Sequence, residues 1–197
     1  MTDQNNSKSL PEPGQELNSP SVKKGIRWGR LLAWAVVIIL LVVVGLRLFQ
    51  VQQGPLAIGE PAPNLILTTF EGEEISLDSL KGKVVVLNFW ASWCKPCEQE
   101  AADLEAAWRS NQSRGDVVFL GIDWTDTEKN GLAYLKKFDI TYPNGPDLGT
   151  RISQKYRITG VPETYIIDKE GNLAYFKLSP FNSLMEIIQV IDPLLGD

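Results

Sequence analysis

The sequence predicts an α/β sandwich, in which a mixed central sheet has helices on both faces, preceded by one N-terminal transmembrane helix. Two observations predict the sandwich: strand patterns alternate with helix patterns along the chain, and a hairpin followed by a helix closes it. A third observation, an uncharged aliphatic run near the N-terminus, predicts the membrane helix. The chain has 197 residues, enough for one ordinary domain and an appendage.

The N-terminal region is predicted to be a tail followed by a membrane anchor. Residues 1–21 are rich in Asn, Gln, Ser, Pro and Glu, a composition that cannot bury a core. Sixteen uncharged residues run from Leu31 to Leu46, and as a helix they would be about 24 Å long. With Arg30 and Arg47 extending outward, this helix approaches the ~30 Å hydrocarbon thickness. We therefore predict a disordered cytoplasmic tail (1–27), a transmembrane anchor (28–49), a linker (50–55) and a folded domain (56–197).

The charge distribution predicts that the folded domain is extracytoplasmic. Residues 1–50 contain six Lys or Arg and three Asp or Glu, a net charge of +3, whereas residues 51–197 contain 13 and 21, a net charge of −8. Basic residues before a span orient the N-terminus toward the cytoplasm. The acidic domain has no basic cluster for a phosphate backbone, which disfavours nucleic-acid binding. The alternative to an anchor is a cleaved signal peptide, but no convincing cleavage site lies between Gly45 and Pro55.

The first half of the domain is predicted to contain three strands and a helix. Short strands at 65–70 and 74–77 are separated by a Glu-Gly-Glu turn. The segment 83–90 contains the apolar run Val-Val-Val-Leu, which is typical of a central strand covered on both faces. Pro96 favours a first helical turn, and a helix to about Ser110 has one largely apolar face. The residues of that face are Cys97, Glu100, Ala101, Leu104, Ala107 and Trp108.

In the second half of the domain, strands are predicted to continue to alternate with helices, and the domain is predicted to end in a hairpin and a helix. A buried strand at 116–122 would run parallel to the strand at 83–90, because the helix between them supplies a right-handed crossover. Two strand patterns flank the turn at 169–172 and predict the hairpin. The other predicted segments are helices at 127–138 and 148–156, hairpin strands at 164–168 and 173–178, and a last helix from Phe181 to about Ile191.

The composition excludes several kinds of catalytic site. The chain has no histidine, so Ser-His-Asp and Cys-His arrangements and imidazole metal ligands cannot occur. Its two cysteines cannot complete a tetrahedral structural zinc site, but they can form one redox pair. We therefore expect no metal and no cofactor besides a redox-active dithiol.

The two cysteines form a CxxC motif at the junction between the central strand and the helix after it. Unpaired N–H groups and the helix dipole stabilise a thiolate there, and the positive charge of Lys95 adds to this effect. Cys94 is therefore the predicted nucleophile, and Cys97, one turn inward on the apolar face, is the predicted resolving thiol. Cys94 would attack a partner disulfide, and Cys97 would then attack the Cys94 sulfur to release the reduced partner.

Two other interpretations of the motif stay open. The cysteines could form an inert disulfide, although a bridge across two residues closes a small loop and contributes little stability. They could also bind Cu(I) as a chaperone module, since soft sulfur ligands suit that ion.

Three segments resemble the thioredoxin superfamily, and more closely the membrane-anchored TlpA, ResA and DsbE (CcmG) group. They are GEPAPN at 59–64, NFWASWCKPC at 88–97 and GVPETYIID at 160–168. The resemblance covers about 58–195 and implies a thioredoxin-like fold. It also implies a cis-proline at Pro162 that packs against the disulfide. The backbone of Val161 would then be free to pair with an extended substrate segment.

Side chains around the dithiol are predicted to contact the substrate. Trp93, next to the nucleophile, would shape the docking surface, and Lys95 and Pro96 at the start of the helix would adjoin it. Glu163, after the cis-proline, would either contact the substrate or cap a strand.

A buried acid is predicted to exchange protons with the second cysteine. Thioredoxin has an aspartate for this purpose in the stretch that Asn88 occupies here. Glu100 is the predicted replacement, because it follows Cys97 by three residues on the same helix face and TlpA-like proteins carry a functional glutamate at the matching position. Burial would raise its pKa toward the operating pH.

The resemblance implies an extracytoplasmic thiol-disulfide oxidoreductase that reduces disulfides of partner proteins. Apocytochrome c before haem attachment is the favoured substrate, and a transmembrane donor of the DsbD or CcdA kind would restore the dithiol. One alternative is a peroxidase of the peroxiredoxin type, whose N-terminal segment resembles residues 59–67. That chemistry needs a threonine three residues before the peroxidatic cysteine, and Ala91 occupies this position.

Overall fold

The structure is a computed structural model that describes residues 28–51 and 56–196, in two units that divide after residue 53. The predicted tail lies outside the described residues, as does most of the predicted linker. In the first unit, helix α1 spans Trp28–Val51, and its side chains from 32 to 46 are exposed. Among the residues described, none of the helices combines the length and the apolar character that a membrane crossing requires.

The second unit is built on a five-stranded mixed sheet. Its strands are β3 (Val84–Trp90), β4 (Val117–Trp124), β5 (Asn144–Asp147), β6 (Glu163–Ile167) and β7 (Leu173–Lys177), in the spatial order β5-β4-β3-β6-β7. Strands β3, β4 and β5 are parallel, whereas β6 is antiparallel to both β3 and β7. This topology confirms the predicted mixed sheet, the parallel crossover and the C-terminal hairpin.

The remaining elements surround this sheet. A small antiparallel sheet pairs β1 (Ile66–Thr68) with β2 (Glu74–Ser76). The helices are α2 (Lys95–Asn111), α3 (Glu128–Lys137), α4 (Arg151–Tyr156) and α5 (Leu184–Leu195), with short 3₁₀ turns at Leu77–Leu80 and Gln112–Arg114. Each of these helices corresponds to a predicted segment, although α4 and α5 each begin three residues later than predicted and α5 ends four residues later.

Strand β5 is the element that the sequence pattern did not predict. Its residues, Asn-Gly-Pro-Asp, are typical of a turn, yet they pair with the edge of β4. Close packing explains the glycine, because a Cβ atom on Gly145 would overlap the backbone oxygen of Thr68. Gly121 on β4 is also constrained, since a Cβ atom there would overlap the buried side chain of Asn144, whose Oδ1 accepts a hydrogen bond from Trp90. Both glycines therefore serve contacts between strands.

The sheet carries an apolar cluster on each face. One cluster joins residues of β3, β4 and β6 to the small sheet and to α4, and the other joins them to α2 and α5. Successive residues of β3, such as Val85 and Val86, belong to opposite clusters, as the twofold alternation of a strand requires. A third, smaller cluster surrounds the two cysteines at the end of β3. Helices on both faces thus hold the cysteines at a rigid strand–helix junction.

Candidate active site

The two cysteines lie where the sequence placed them, between β3 and the first turn of α2. Cys94 is the N-cap residue of α2, and Pro96 lies in the first turn. Their sulfur atoms are bonded at 2.05 Å, and the backbone N–H of Cys97 donates to Sγ of Cys94 at 3.1 Å. Cys94 is 3% exposed and Cys97 is 1% exposed. The helix N-terminus therefore offers an N–H group to the predicted nucleophile, which favours its thiolate.

The loop before β6 closes over the disulfide. The Val161–Pro162 peptide bond is cis, as the resemblance implies. The carbonyl oxygen of Val161 lies 3.4 Å from Sγ of Cys94. A shallow groove of about 300 Å³ runs along this loop and is lined by Pro96, 159–163 and 178–180. A partner disulfide reaching Cys94 would therefore lie against this loop.

Glu163 supports this loop with a buried side chain. The residue is 3% exposed. Its Oε1 accepts hydrogen bonds from the backbone N–H groups of Thr159 and Gly160 at 3.0 and 3.1 Å, and its Oε2 accepts one from the Tyr165 hydroxyl. These contacts hold the loop before Pro162 in place; the two predicted roles of Glu163, contact with the substrate and capping of a strand, stay predictions.

Trp93 and Lys95 both present exposed side chains beside the disulfide. Trp93 is 57% exposed, and its ring centroid lies 6.1 Å from that of Trp124 at the end of β4. The ammonium group of Lys95 lies 3.2 Å from Oε1 of Glu98, which also binds Lys137. The ammonium of Lys95 is thus paired with Glu98 at the surface, and its support for the Cys94 thiolate stays a prediction.

Glu100 is a buried carboxyl group on the predicted face of α2. It is 1% exposed, and it accepts hydrogen bonds from Nδ2 of Asn88 at 2.9 Å and from the backbone N–H of Phe181 at 2.8 Å. Burial raises the pKa of Glu100 to about 7, and these two hydrogen bonds oppose the rise. The carboxyl group can therefore both release and accept a proton near neutral pH.

Comparison with known proteins identifies the family of this chain. The profile of the AhpC/TSA family matches residues 58–176.

The chain belongs to the AhpC/TSA family.

Relatives of this AhpC/TSA protein are thiol-disulfide oxidoreductases. ResA, a thiol-disulfide oxidoreductase of Bacillus cereus, is 38% identical over 143 residues, which cover 70% of this chain and 82% of ResA. Two solved structures share the thioredoxin-like fold. One is a thiol:disulfide interchange protein of the thioredoxin family from Chlorobium tepidum TLS, which is 29% identical to this chain and has a TM-score of 0.64. The match covers 74% of this chain and 99% of that protein. A secreted disulfide oxidoreductase from Mycobacterium tuberculosis is 25% identical, with a TM-score of 0.60 and coverages of 66% and 96%.

These relatives and the bonded Cys94–Cys97 pair confirm the predicted enzyme class, a thiol-disulfide oxidoreductase. The peroxidase alternative lacks its hydroxyl group, because the required threonine position holds Ala91, which is fully buried. The copper interpretation and the expected absence of a cofactor stay predictions.

Two further residues of this AhpC/TSA protein hold the site together and were not predicted to do so. Asn88 donates from Nδ2 to Glu100 and also to Oγ1 of Thr164 at 2.9 Å, so it fixes the position of the acid. Asp126 accepts from the backbone N–H of Ser92 at 2.8 Å and thereby fixes the loop before Cys94. The sequence marks Asn88 only as a departure from thioredoxin and does not show that its amide group contacts Glu100.

Another buried carboxyl group, that of Asp123, lies on the strand next to Trp90. Asp123 is paired in register with Trp90 and is 0% exposed. Among the described residues, neither of its carboxyl oxygens has a hydrogen-bond partner. Burial raises its pKa to about 7, with a further contribution from the nearby charge of Asp126. Asp123 is therefore protonated in mildly acidic solution.

Proposed function

We propose that this protein reduces disulfides of partner proteins outside the cytoplasm. The observation that carries the proposal is the Cys94–Cys97 pair at the N-terminus of α2, with the Val161 carbonyl beside Cys94 and exposed Trp93 next to it. This arrangement offers a stabilised thiolate, a backbone edge and an apolar surface to an extended polypeptide. The likeness to ResA supports the same reaction class.

The reaction transfers one electron pair from the dithiol to the partner. The Cys94 thiolate attacks one partner sulfur, so the partner disulfide breaks and its other sulfur leaves as a thiolate. Cys97 gives its proton to Glu100 and attacks Sγ of Cys94, which forms the Cys94–Cys97 disulfide and releases the second partner thiolate. The two partner thiolates take up the proton held by Glu100 and the one that Cys94 released to solvent. A dithiol donor restores the enzyme by the reverse exchange.

Apocytochrome c before haem attachment is the proposed substrate, and a transmembrane thiol donor of the DsbD or CcdA kind is the proposed reductant. Both follow from the resemblance to the TlpA, ResA and DsbE group. A reductase is needed in that role because haem attachment requires free cysteine thiols.

Membrane attachment through α1 is also part of the proposal. The supporting observations are the uncharged run from Leu31 to Leu46 and the exposure of the apolar side chains from Leu32 to Leu46. The basic residues before the run orient the N-terminus toward the cytoplasm and the catalytic domain away from it.

Replacing Glu100 with glutamine is expected to slow the resolving step. Reduced full-length protein would react with oxidised glutathione, and the decay of the mixed disulfide at Cys94 would be followed by acid quenching and mass spectrometry. In the unaltered protein the decay should accelerate with pH around pH 7, because ionised Glu100 accepts the Cys97 proton. Glu100→Gln should decay about a hundredfold more slowly at pH 7.

Glu98→Gln is the matched control for this measurement. Glu98 lies on the same helix but binds Lys95 and Lys137 at the surface, so its variant should retain the pH dependence. If Glu100→Gln and the unaltered protein show the same pH–rate profile, the proposed proton acceptor is wrong.

A further inference from the structure

Lys177, the last residue of β7, and Glu186, in the first turn of α5, form a partly buried ion pair across the segment that joins these two elements. The Lys177 ammonium lies 2.5 Å from Oε1 of Glu186, and the two side chains are 15% and 28% exposed. The ammonium also lies 5.4 Å from the ring centroid of Phe181. Oε2 of Glu186 accepts from the backbone N–H of Asn182 at 2.8 Å. This network therefore fixes the segment on both sides of Phe181.

The same segment contacts the proposed proton acceptor directly. The backbone N–H of Phe181 donates to Oε2 of Glu100. On the other side, Lys177 is paired in register with Thr164, and Thr164 is paired with Asn88. Residues paired in register lie on the same face of a sheet. Lys177 thus belongs to the row of polar residues that crosses the sheet beneath Glu100.

The ion pair acts on Glu100 through charge. Beyond burial and the two hydrogen bonds, the Lys177 ammonium lowers the pKa of Glu100 and the Glu186 carboxylate raises it. Charges in partly buried positions interact more strongly than they do in bulk water. The phenols of Tyr134 and Tyr142 also lie near Glu100, but the pKa of each is raised well above neutral pH, chiefly by burial. Both phenols are therefore uncharged where Glu100 titrates.

We infer that Lys177 is a positioning residue for the resolving step: its ammonium, paired with Glu186 across the segment whose Phe181 N–H binds Glu100, assists the transfer of the Cys97 proton to Glu100 through its positive charge, and Glu186 limits the effect. The inference rests on the proposed function, because it assumes that Glu100 is the proton acceptor. It adds a residue on a different element, remote in sequence from the CxxC motif.

Removing the Lys177 charge is expected to move the pH dependence of the resolving step upward. In the mixed-disulfide decay of the full-length protein with glutathione, Lys177→Met should be roughly fivefold slower than the unaltered protein at pH 7 and equal to it at pH 9. Lys177→Arg should restore the original profile, because it restores the charge. Glu186→Gln should shift the profile in the opposite direction, because it leaves Lys177 without its compensating partner.

Lys169→Met is the matched control. Lys169 also forms a partly buried ion pair, with Asp116 at 3.1 Å and with side-chain exposures of 31% and 29%. This pair lies at the other end of the sheet, because Asp116 directly precedes β4, whereas Cys94 follows the C-terminal end of the parallel strand β3. The Lys169→Met profile should match that of the unaltered protein.

Each other outcome overturns the inference. A Lys177→Met profile equal to that of the control, or a rate reduced by the same factor at every pH, would show that the lysine has only a structural role. Failure of Lys177→Arg to restore the profile would do the same. If Lys177→Met does not fold, an unshifted Glu186→Gln profile suffices to reject the inference. Loss of the pH dependence around pH 7 in Glu100→Gln tests independently whether Glu100 is the proton acceptor, and the reduction potential tests the proposed reductase, so a failure of the inference is distinguishable from a failure of the proposed function.

Discussion

Replacing Cys97 with alanine is expected to convert the enzyme into a covalent trap for its partner. Cys94 can still attack a partner disulfide, but no resolving thiol remains to attack the resulting mixed disulfide. The intramolecular attack benefits from a high effective concentration, so its loss should slow partner release at least about a thousandfold. Membranes containing full-length Cys97→Ala should therefore accumulate a complex that runs as one species on non-reducing gels and separates when reduced.

Cys94→Ala is the matched control for the trap. Both cysteines are nearly inaccessible in the oxidised protein, so the exposure of the sulfurs does not distinguish them. The hydrogen bond from the Cys97 N–H to Sγ of Cys94 and the N-cap position of Cys94 do distinguish them, and they predict that only Cys94 forms the complex. Trapping by Cys94→Ala, with none by Cys97→Ala, would reverse the assignment of nucleophile and resolving thiol.

The folded protein is expected to be less stable at pH 8 than at pH 5. Burial raises the pKa values of both Glu100 and Asp123 to about 7, from ordinary values of 4.5 and 3.8. Between about pH 4 and pH 7 the folded state therefore binds more protons than the unfolded state, and the free energy of unfolding falls as the pH rises. One pKa unit corresponds to about 1.4 kcal/mol, so each group contributes on the order of 3 kcal/mol to this loss.

Denaturant unfolding of the oxidised full-length protein at several pH values measures this effect. Asp123→Asn should abolish about half of the loss, because the amide has no charge to bury. Glu71→Gln, in an exposed turn, should leave the pH dependence unchanged. Equal stability at pH 5 and pH 8, or an Asp123→Asn variant with the same pH dependence as the unaltered protein, would mean that these carboxyl groups are not held protonated by burial.

Local patterns of the sequence were sufficient to predict four of the five strands of the central sheet and the reactive pair. The apolar run in β3 and the proline after Cys94 place the cysteines at a strand–helix junction, and the 3.6-residue spacing on α2 places Glu100 on the buried face. Strand β5 could not be predicted in this way, because its Gly145 and Pro146 are turn formers whose pairing depends on tertiary contacts with β1 and β4.

Local sequence patterns also did not predict which residues from outside the CxxC region contact or lie near Glu100. Phe181 contacts Glu100 through its backbone N–H, which carries no side-chain signal. Lys177 reaches the same region through strand pairing with Thr164. The exposed ammonium of Lys95 binds Glu98, a contact that the position of Lys95 beside Cys94 did not predict. These contacts therefore depend on the strand register between distant residues and on the rotamers of exposed side chains, neither of which sequence spacing predicts.

The reduction potential of the Cys94–Cys97 pair tests the proposed reductase most directly. The full-length protein would be equilibrated with dithiothreitol and glutathione buffers of graded potential at pH 7, and the fraction of reduced cysteines would be measured by alkylation. A reductase of partner disulfides should have a potential near that of thioredoxin, about −270 mV. A potential near that of DsbA, about −120 mV, would show that the protein oxidises its partners and would contradict the proposal.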